Sequence, residues 1–196
     1  MAQTKHRDDQ LFVGPVEFDG AVDFDGTTLF NAAANHGSNG VVRTGRQLFV
    51  PAADAIAGAT AGWLVTGAND NLARLPASKT NSTLVIPLKG LHIGDTLTAV
   101  SITGQVESAG NIATLAIDIR KSTAAVADFT DASLDTDASG DLTADTLITA
   151  AGTPIGVAAL GEVLAEGESL YALITGTTAA STDIAVAGLL MTYNQA

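Results

Sequence analysis

From about Arg46 onward the chain repeats one pattern: short runs in which apolar and polar residues alternate, closed by Gly, Ser, Asn or Asp. Alternation with period two places successive side chains on opposite faces of an extended strand. It predicts strands over Gln47–Val50, Trp63–Thr66, Leu72–Leu75, Ser82–Leu88, Thr96–Gln105, Ala113–Lys121, Leu142–Thr149, Val157–Leu164, Ser169–Thr177 and Thr182–Tyr193. Leu115, Ile117 and Ile119 fall on one face, and Thr114, Asp118 and Arg120 on the other. Val100 and Ile102 oppose Ser101 and Thr103, and Ile184 shares a face with Val186. Gly90–Gly94, Ser108–Asn111 and Gly176–Ser181 read as turns and loops. Many short strands at this spacing predict an all-β domain over residues 46–196, an antiparallel, jelly-roll-like sandwich. Pro87 suits the end of an edge strand, because it has no N–H for a ladder. Residues 122–141 break the pattern. Ser122–Asp128 predicts one or two helical turns, and Asp131–Asp141 an acidic loop at an exposed end of the sandwich.

The first 26 residues follow a different rule. After a polar tail, Pro15-Val-Glu-Phe-Asp-Gly20 is echoed by Ala21-Val-Asp-Phe-Asp-Gly26, a repeat of period six. Apolar and acidic residues alternate within each unit, and Asp-Gly supplies the turns. This predicts an extended β arm over residues 1–26. Two such units cannot bury Val16, Phe18, Val22 and Phe24 by themselves. Stacking against sister copies is one solution, with three chains around an axis. A simple hairpin, or an arm lying on its own domain, is the other. Residues 27–45, small, polar and Gly-rich, read as a linker.

Composition narrows the chemistry. Nine Lys plus Arg face 21 Asp plus Glu among 196 residues, a formal charge of −12. A pI near 4.3 argues against binding a phosphate backbone. There is no Cys, hence no disulfide, no thiolate metal site and no Cys nucleophile. No apolar run reaches the length of a spanning helix, so no membrane is expected as a partner. The polar Met1–Gln10 is not a signal peptide. The charge is unevenly spread. Residues 1–79 hold six basic and eight acidic side chains, residues 80–196 three and 13. Lys5, Arg7, Arg43 and Arg46 make the N-terminal part the better surface for an acidic partner.

Few motifs suggest catalysis or a ligand. Asp135-Thr-Asp-Ala-Ser-Gly140 begins like a calcium loop, but its twelfth position is Thr146 rather than a bidentate Glu. His6, His36 and His92 are scattered and accompany no nucleophile motif, and His92 reads as a turn histidine. Gly152–Gly156 lacks the Lys and helix of a phosphate loop. Asn81-Ser-Thr83 matches a glycosylation acceptor but reads as the start of a strand. Glu166 and Glu168 are one acidic pair among many. No set of positioned roles emerges, so no enzyme, metal or cofactor is expected.

Several phrases do carry a resemblance. Thr83-Leu-Val-Ile-Pro87, Gly94-Asp-Thr-Leu-Thr-Ala-Val100, Gly104-Gln-Val-Glu-Ser-Ala-Gly-Asn111, Thr175-Gly-Thr-Thr178 and Asp183-Ile-Ala-Val-Ala-Gly188 span about residues 60–196. They resemble a β-sandwich module of phage structural proteins, above all trimeric capsid cement (decoration) proteins of tailed phages such as cyanophages. Related modules occur in distal parts of tailspikes. The resemblance implies a homotrimer on the outer capsid surface of the virion, with Val16, Phe18, Val22 and Phe24 at the trimer interface. Lys5, Arg7, Arg43 and Arg46 would then contact the major capsid protein. The alternative it leaves open is a receptor- or glycan-binding head, with a host surface glycan as partner.

Overall fold

The computed structural model describes residues 43–65, 72–107, 113–124, 129–142, 146–149 and 153–196, all within the unit Ser38–Ala196. Twelve strands and one short 3-10 turn (Ala52–Asp54) form two antiparallel sheets. The first sheet holds β1 (Arg43–Pro51), β3 (Leu64–Val65), β4 (Ala73–Leu75), β6 (Thr96–Glu107), β9 (Leu147–Ile148), β10 (Gly156–Val163) and β12 (Asp183–Gln195). The second runs in the order β2 (Ile56–Ala57), β5 (Lys79–Pro87), β11 (Glu168–Thr178), β7 (Ala113–Ala124) and β8 (Phe129–Ala138). The predicted sandwich is therefore present.

Strand β12 organises the first sheet. One flank pairs with β6 from Asp183 to Asn194. The other pairs with β4 at Ile184–Val186 and with β1 from Gly188 to Gln195. Gly188 sits at a bulge in the ladder with β6, opposite the point where the other flank passes from β4 to β1. A Cβ there would lie 2.2 Å from the Val50 carbonyl oxygen, so β1 can approach only a glycine.

The period-two pattern explains the core. Leu115, Ile117 and Ile119 of β7 point inward with Leu84 and Ile86 of β5 and Ile174 of β11. They meet Leu97, Val100 and Ile102 of β6 and Ile184, Leu189 and Met191 of β12. Each such Leu or Ile side chain contributes about 1.5–3 kcal/mol on leaving water. The core holds a single buried indole, Trp63, whose Nε1–H donates to the Ser82 carbonyl at 3.0 Å. Gly176 makes the space for it: a Cβ there would lie 2.6 Å from Leu75 Cδ2 and 3.0 Å from Trp63 Cζ2.

Five local expectations are corrected. Residues 131–138 form strand β8, not a loop, and Ser122–Ala124 extend β7 rather than starting a helical turn. Gly176–Thr178 belong to β11, and the turn follows at 179–182. The expected strand Leu142–Thr149 is reduced to β9 plus an isolated bridge between Leu142 and Ala113. The segment expected as a linker to residue 45 ends earlier, because Arg43 already pairs with Gln195. Strand β8 lacked an apolar signal because it is an edge: it pairs with β7 alone and sends only Leu134 against the core. Pro87 does close β5, beyond the two residues that β2 covers.

Asp95 fastens the chain's end to the sandwich. It is 1% exposed and accepts N–H donors from His92 at 2.9 Å and Ala196 at 3.1 Å. Burial disfavours its charge, but those two donors and the adjacent His92 outweigh it and hold the carboxyl below its ordinary value.

Two stability outcomes follow from these contacts. Gly176→Val overpacks the core and lowers unfolding free energy by about 1–3 kcal/mol in urea titrations, with an altered Trp63 fluorescence spectrum in the native state. Asp95→Ala costs about 1–3 kcal/mol at neutral pH, because the N–H groups of His92 and Ala196 lose a buried, charged acceptor. The native carboxyl has the lower pKa, so its stabilisation is complete above the unfolded value near 4 and disappears as pH falls through the native one. The gap between wild type and Asp95→Ala in denaturation midpoints therefore narrows below about pH 4.

Candidate interaction surfaces

Three surfaces of the sandwich differ in chemistry. The first is the end where the chain enters. Arg43 of β1 lies opposite Gln195 of β12, and Asn194 opposite Thr96, which in turn pairs with Val163. The Gly94 N–H donates to the Leu164 carbonyl at 2.8 Å, placing the loop 88–95 beside the turn 164–167. The second sheet ends here too, at Ala124 and Phe129, where the Ala124 N–H donates to the Gly167 carbonyl. This pole leaves Ile93, Phe129 and Val163 at 66%, 75% and 51% exposure. Behind them, Lys121 Nζ donates to Glu162 at 2.7 Å and lies 3.1 Å from Glu168, joining β7 to β10 and β11. Those carboxylates hold the Lys121 ammonium above its ordinary pKa. The Ala165 N–H, then Lys121, keep Glu168 below its own.

The second surface is the outer face of the second sheet. Register aligns Tyr171 of β11, Arg120 of β7 and Ser133 of β8 in one row, and Leu173, Asp118 and Thr136 in the next. Arg120 donates to Asp131 through Nε and Nη2, to Asp118 at 2.7 Å through Nη1, and to the Tyr171 hydroxyl. The Tyr171 hydroxyl donates to Asp131 at 2.7 Å, and Ser133 donates to Asp118. Arg120 is stabilised in its charged form by Asp131 first and Asp118 second, while Arg120 and then Tyr171 hold the Asp131 carboxyl below its usual value. Tyr171 itself is pushed up, mainly by burial and then by Asp131. A groove of about 350 Å³ adjoins the network, lined by Ala116, Asp118, Thr136, Leu173 and Thr175. Hydroxyl and carboxylate groups there stand beside the apolar side chains of Ala116 and Leu173.

The third surface is the outer face of the first sheet. Its side chains include Phe49, Leu190 and Ser101 in one row, Gln47, Thr192 and Ala99 in the next, and Ala187 and Thr103 towards the far end. Among the described residues its charged side chains gather at that far end, where Arg74 pairs with Glu107 beside Asp183. A hollow of about 200 Å³ lies there between Thr103, Gln105, Glu107, Leu147, Ala185 and Ala187.

The expected site residues divide accordingly. Arg43 and Arg46 lie on β1 at the entry pole, where Arg46 Nη1 donates to Gln195 Oε1 at 2.7 Å. Lys5, Arg7, Val16, Phe18, Val22 and Phe24 lie outside the described residues. The residues that begin like a calcium loop lie in a strand: Asp135 and Asp137 stand in β8, and Asp137 accepts the Gly156 N–H of the opposite sheet at 2.8 Å. Among the described residues no three His, Cys, Asp or Glu side chains gather as metal ligands, and no helix is long and apolar enough to cross a membrane. His92 is a turn histidine, as its sequence suggested. The Arg120 network escaped sequence reading because Asp131 and Tyr171 lie 11 and 51 residues away from it.

No protein-family model and no curated protein matches the sequence. Among solved structures, the chain is similar to the CBM22-1–GH10 modules of Clostridium thermocellum endo-1,4-beta-D-xylanase 10B complexed with xylohexaose. That match has 10% identity, covers 77% of this chain and 28% of that one, and has a TM-score of 0.40. It is similar to a family two carbohydrate esterase from Cellvibrio japonicus, with 6% identity, 78% and 34% coverage and a TM-score of 0.34. It is also similar to infectious bursal disease virus, Gt strain, with 14% identity, 77% and 33% coverage and a TM-score of 0.33. The chain spans about a third or less of each of these proteins, and the likeness is one of strand layout.

Proposed function

We propose that this chain is a non-enzymatic virion structural protein: a homotrimeric cement (decoration) protein on the outer capsid surface of a tailed phage. One observation carries the reading. Strand β1 runs beside the C-terminal strand β12 to a pole that exposes Ile93, Phe129 and Val163. The Val/Phe hexads, Lys5 and Arg7 precede β1 in the sequence. In this reading Val16, Phe18, Val22 and Phe24 of three copies pack together, while Lys5, Arg7, Arg43 and Arg46 meet acidic patches of the major capsid protein. Three weak contacts on one rigid trimer act at high effective concentration, so avidity holds the trimer at a junction between capsid subunits. Neither cofactor nor metal enters this role.

A second reading is a receptor- or glycan-binding head of a tailspike or fibre. It is favoured by the groove at Asp118, Thr136 and Thr175 beside Tyr171. Copy number separates the two, since cement proteins occur in hundreds per particle and spike heads in few.

Light scattering at micromolar concentration is expected to return three times the 19.7 kDa chain mass. Phe18→Asp with Phe24→Asp is expected to reduce it to a single chain, and quantitative gels of intact particles to count hundreds of copies. A wild-type monomer, a double variant that stays trimeric, or a count of a few copies contradicts the cement reading.

A further inference from the structure

We infer that the groove on the outer face of the second sheet is a binding site for an uncharged sugar. The inference rests on the second, glycan-binding reading and deepens it by naming the site and the class of ligand.

Register builds the groove. Ala138, Ala116 and Thr175 form one row across β8, β7 and β11, and Thr136, Asp118 and Leu173 form the next. All six line the groove of about 350 Å³. The following row holds the longer side chains of Arg120 and Tyr171. Tyr171 stands on β11, yet its hydroxyl donates to Asp131 on β8, so its ring lies across β7 and borders the row of Asp118. The groove has the volume of about twelve waters, room for a sugar ring.

The polar groups define what an occupant must offer. Asp118 Oδ1 accepts the Ser133 hydroxyl, and Oδ2 accepts Arg120 Nη1. A carboxylate has about four acceptor positions, so about two remain on a side chain that is held in place and 21% exposed. They call for O–H or N–H donors. Thr136 and Thr175 add two hydroxyls, each able to donate and to accept. Asp118 lies opposite Thr136, at about 5 Å, and diagonal to Thr175, at about 7–8 Å. Beside these groups Ala116 and Leu173 present only carbon. A sugar ring matches that pattern, with hydroxyls around its rim and C–H groups on its faces.

Other ligands leave part of the site unused. An extended peptide binds a sheet through main-chain hydrogen bonds, but β7 spends its backbone groups on β8 and β11. An acidic sugar would approach a chain of formal charge −12. Arg120 offers it little, because Nε, Nη1 and Nη2 each already donate to Asp118 or Asp131. A cation would satisfy Asp118 alone and leave the threonine hydroxyls and the apolar side chains idle. A neutral polyhydroxyl ligand engages all of them.

The test is a glycan array probed with the full chain. The array carries neutral hexose oligomers and their sialylated or uronic-acid counterparts, and the strongest neutral binder is then titrated by calorimetry. Thr136→Val and Thr175→Val each remove one hydroxyl at an outward strand position with little change of shape. Asp118→Asn removes the charge, and Thr103→Val on the other sheet is the control. Circular dichroism and Trp63 fluorescence establish that each variant is folded. Should Asp118→Asn disturb Arg120, the threonine variants still decide. Neutral glycans are expected to bind with an affinity that salt does not change. Each groove threonine variant is expected to weaken binding about fivefold, Asp118→Asn about tenfold or more, and Thr103→Val not at all. If the folded groove variants bind a neutral glycan as tightly as wild type, the groove is excluded while the glycan-binding reading stands. Binding confined to acidic glycans excludes the neutral class and also leaves that reading standing. If no glycan binds, both fail together, and salt-sensitive binding of a lysine peptide in that case assigns the groove to a cation.

Discussion

The first sheet depends on a single ladder, the one that β12 makes on both flanks. Its thirteen residues hold β6 on one side and β4 and β1, end to end, on the other. Gly188 carries a bulge in the β6 ladder at the point where the other flank passes from β4 to β1, and a side chain there would strike the Val50 carbonyl. This pairing also brings the described chain's first residue, Arg43, beside Gln195. Asp95 reinforces that corner of the sandwich through the Ala196 N–H.

Charge placement follows from the same architecture. An open sheet edge offers unpaired N–H and C=O groups to any passing strand, and proteins blunt such edges with charge, bulges or brevity. The second sheet ends in β8, with Asp131, Asp135 and Asp137, and at its other side in the two-residue β2. In the first sheet β10 is broken by a bulge between Ala158 and Glu162, and β1 by one between Arg43 and Arg46. Acidic residues on β8 thus have a structural role, where the sequence suggested an exposed acidic loop.

Legibility tracks the number of faces a strand buries. Strands β6, β7, β11 and β12 were readable because their inward positions are Leu, Ile and Val and their outward ones polar or small, so the period appears directly in the letters. Strand β8 buries almost nothing, leaving no period to read. The two-residue β2 and β9 are too short for one. The Arg120–Asp131–Tyr171 network is set by pairings between three strands, a long-range fact absent from any local window. The neutrality of one outer face, by contrast, was written in the sequence. Outward positions of β6 read Ala99, Ser101 and Thr103 where those of β7 read Asp118 and Arg120. It becomes meaningful only once the register shows that these positions adjoin their equals on β12.

The two outer faces of the sandwich are therefore unlike in a way that edges and core do not require. The core would be equally well buried with Lys or Glu at positions 99, 101 and 103, since those side chains never enter it. Solubility, in a chain whose other sheet carries an ion-pair network, would favour such residues. The difference between the two outer faces is thus one of surface chemistry and not of burial.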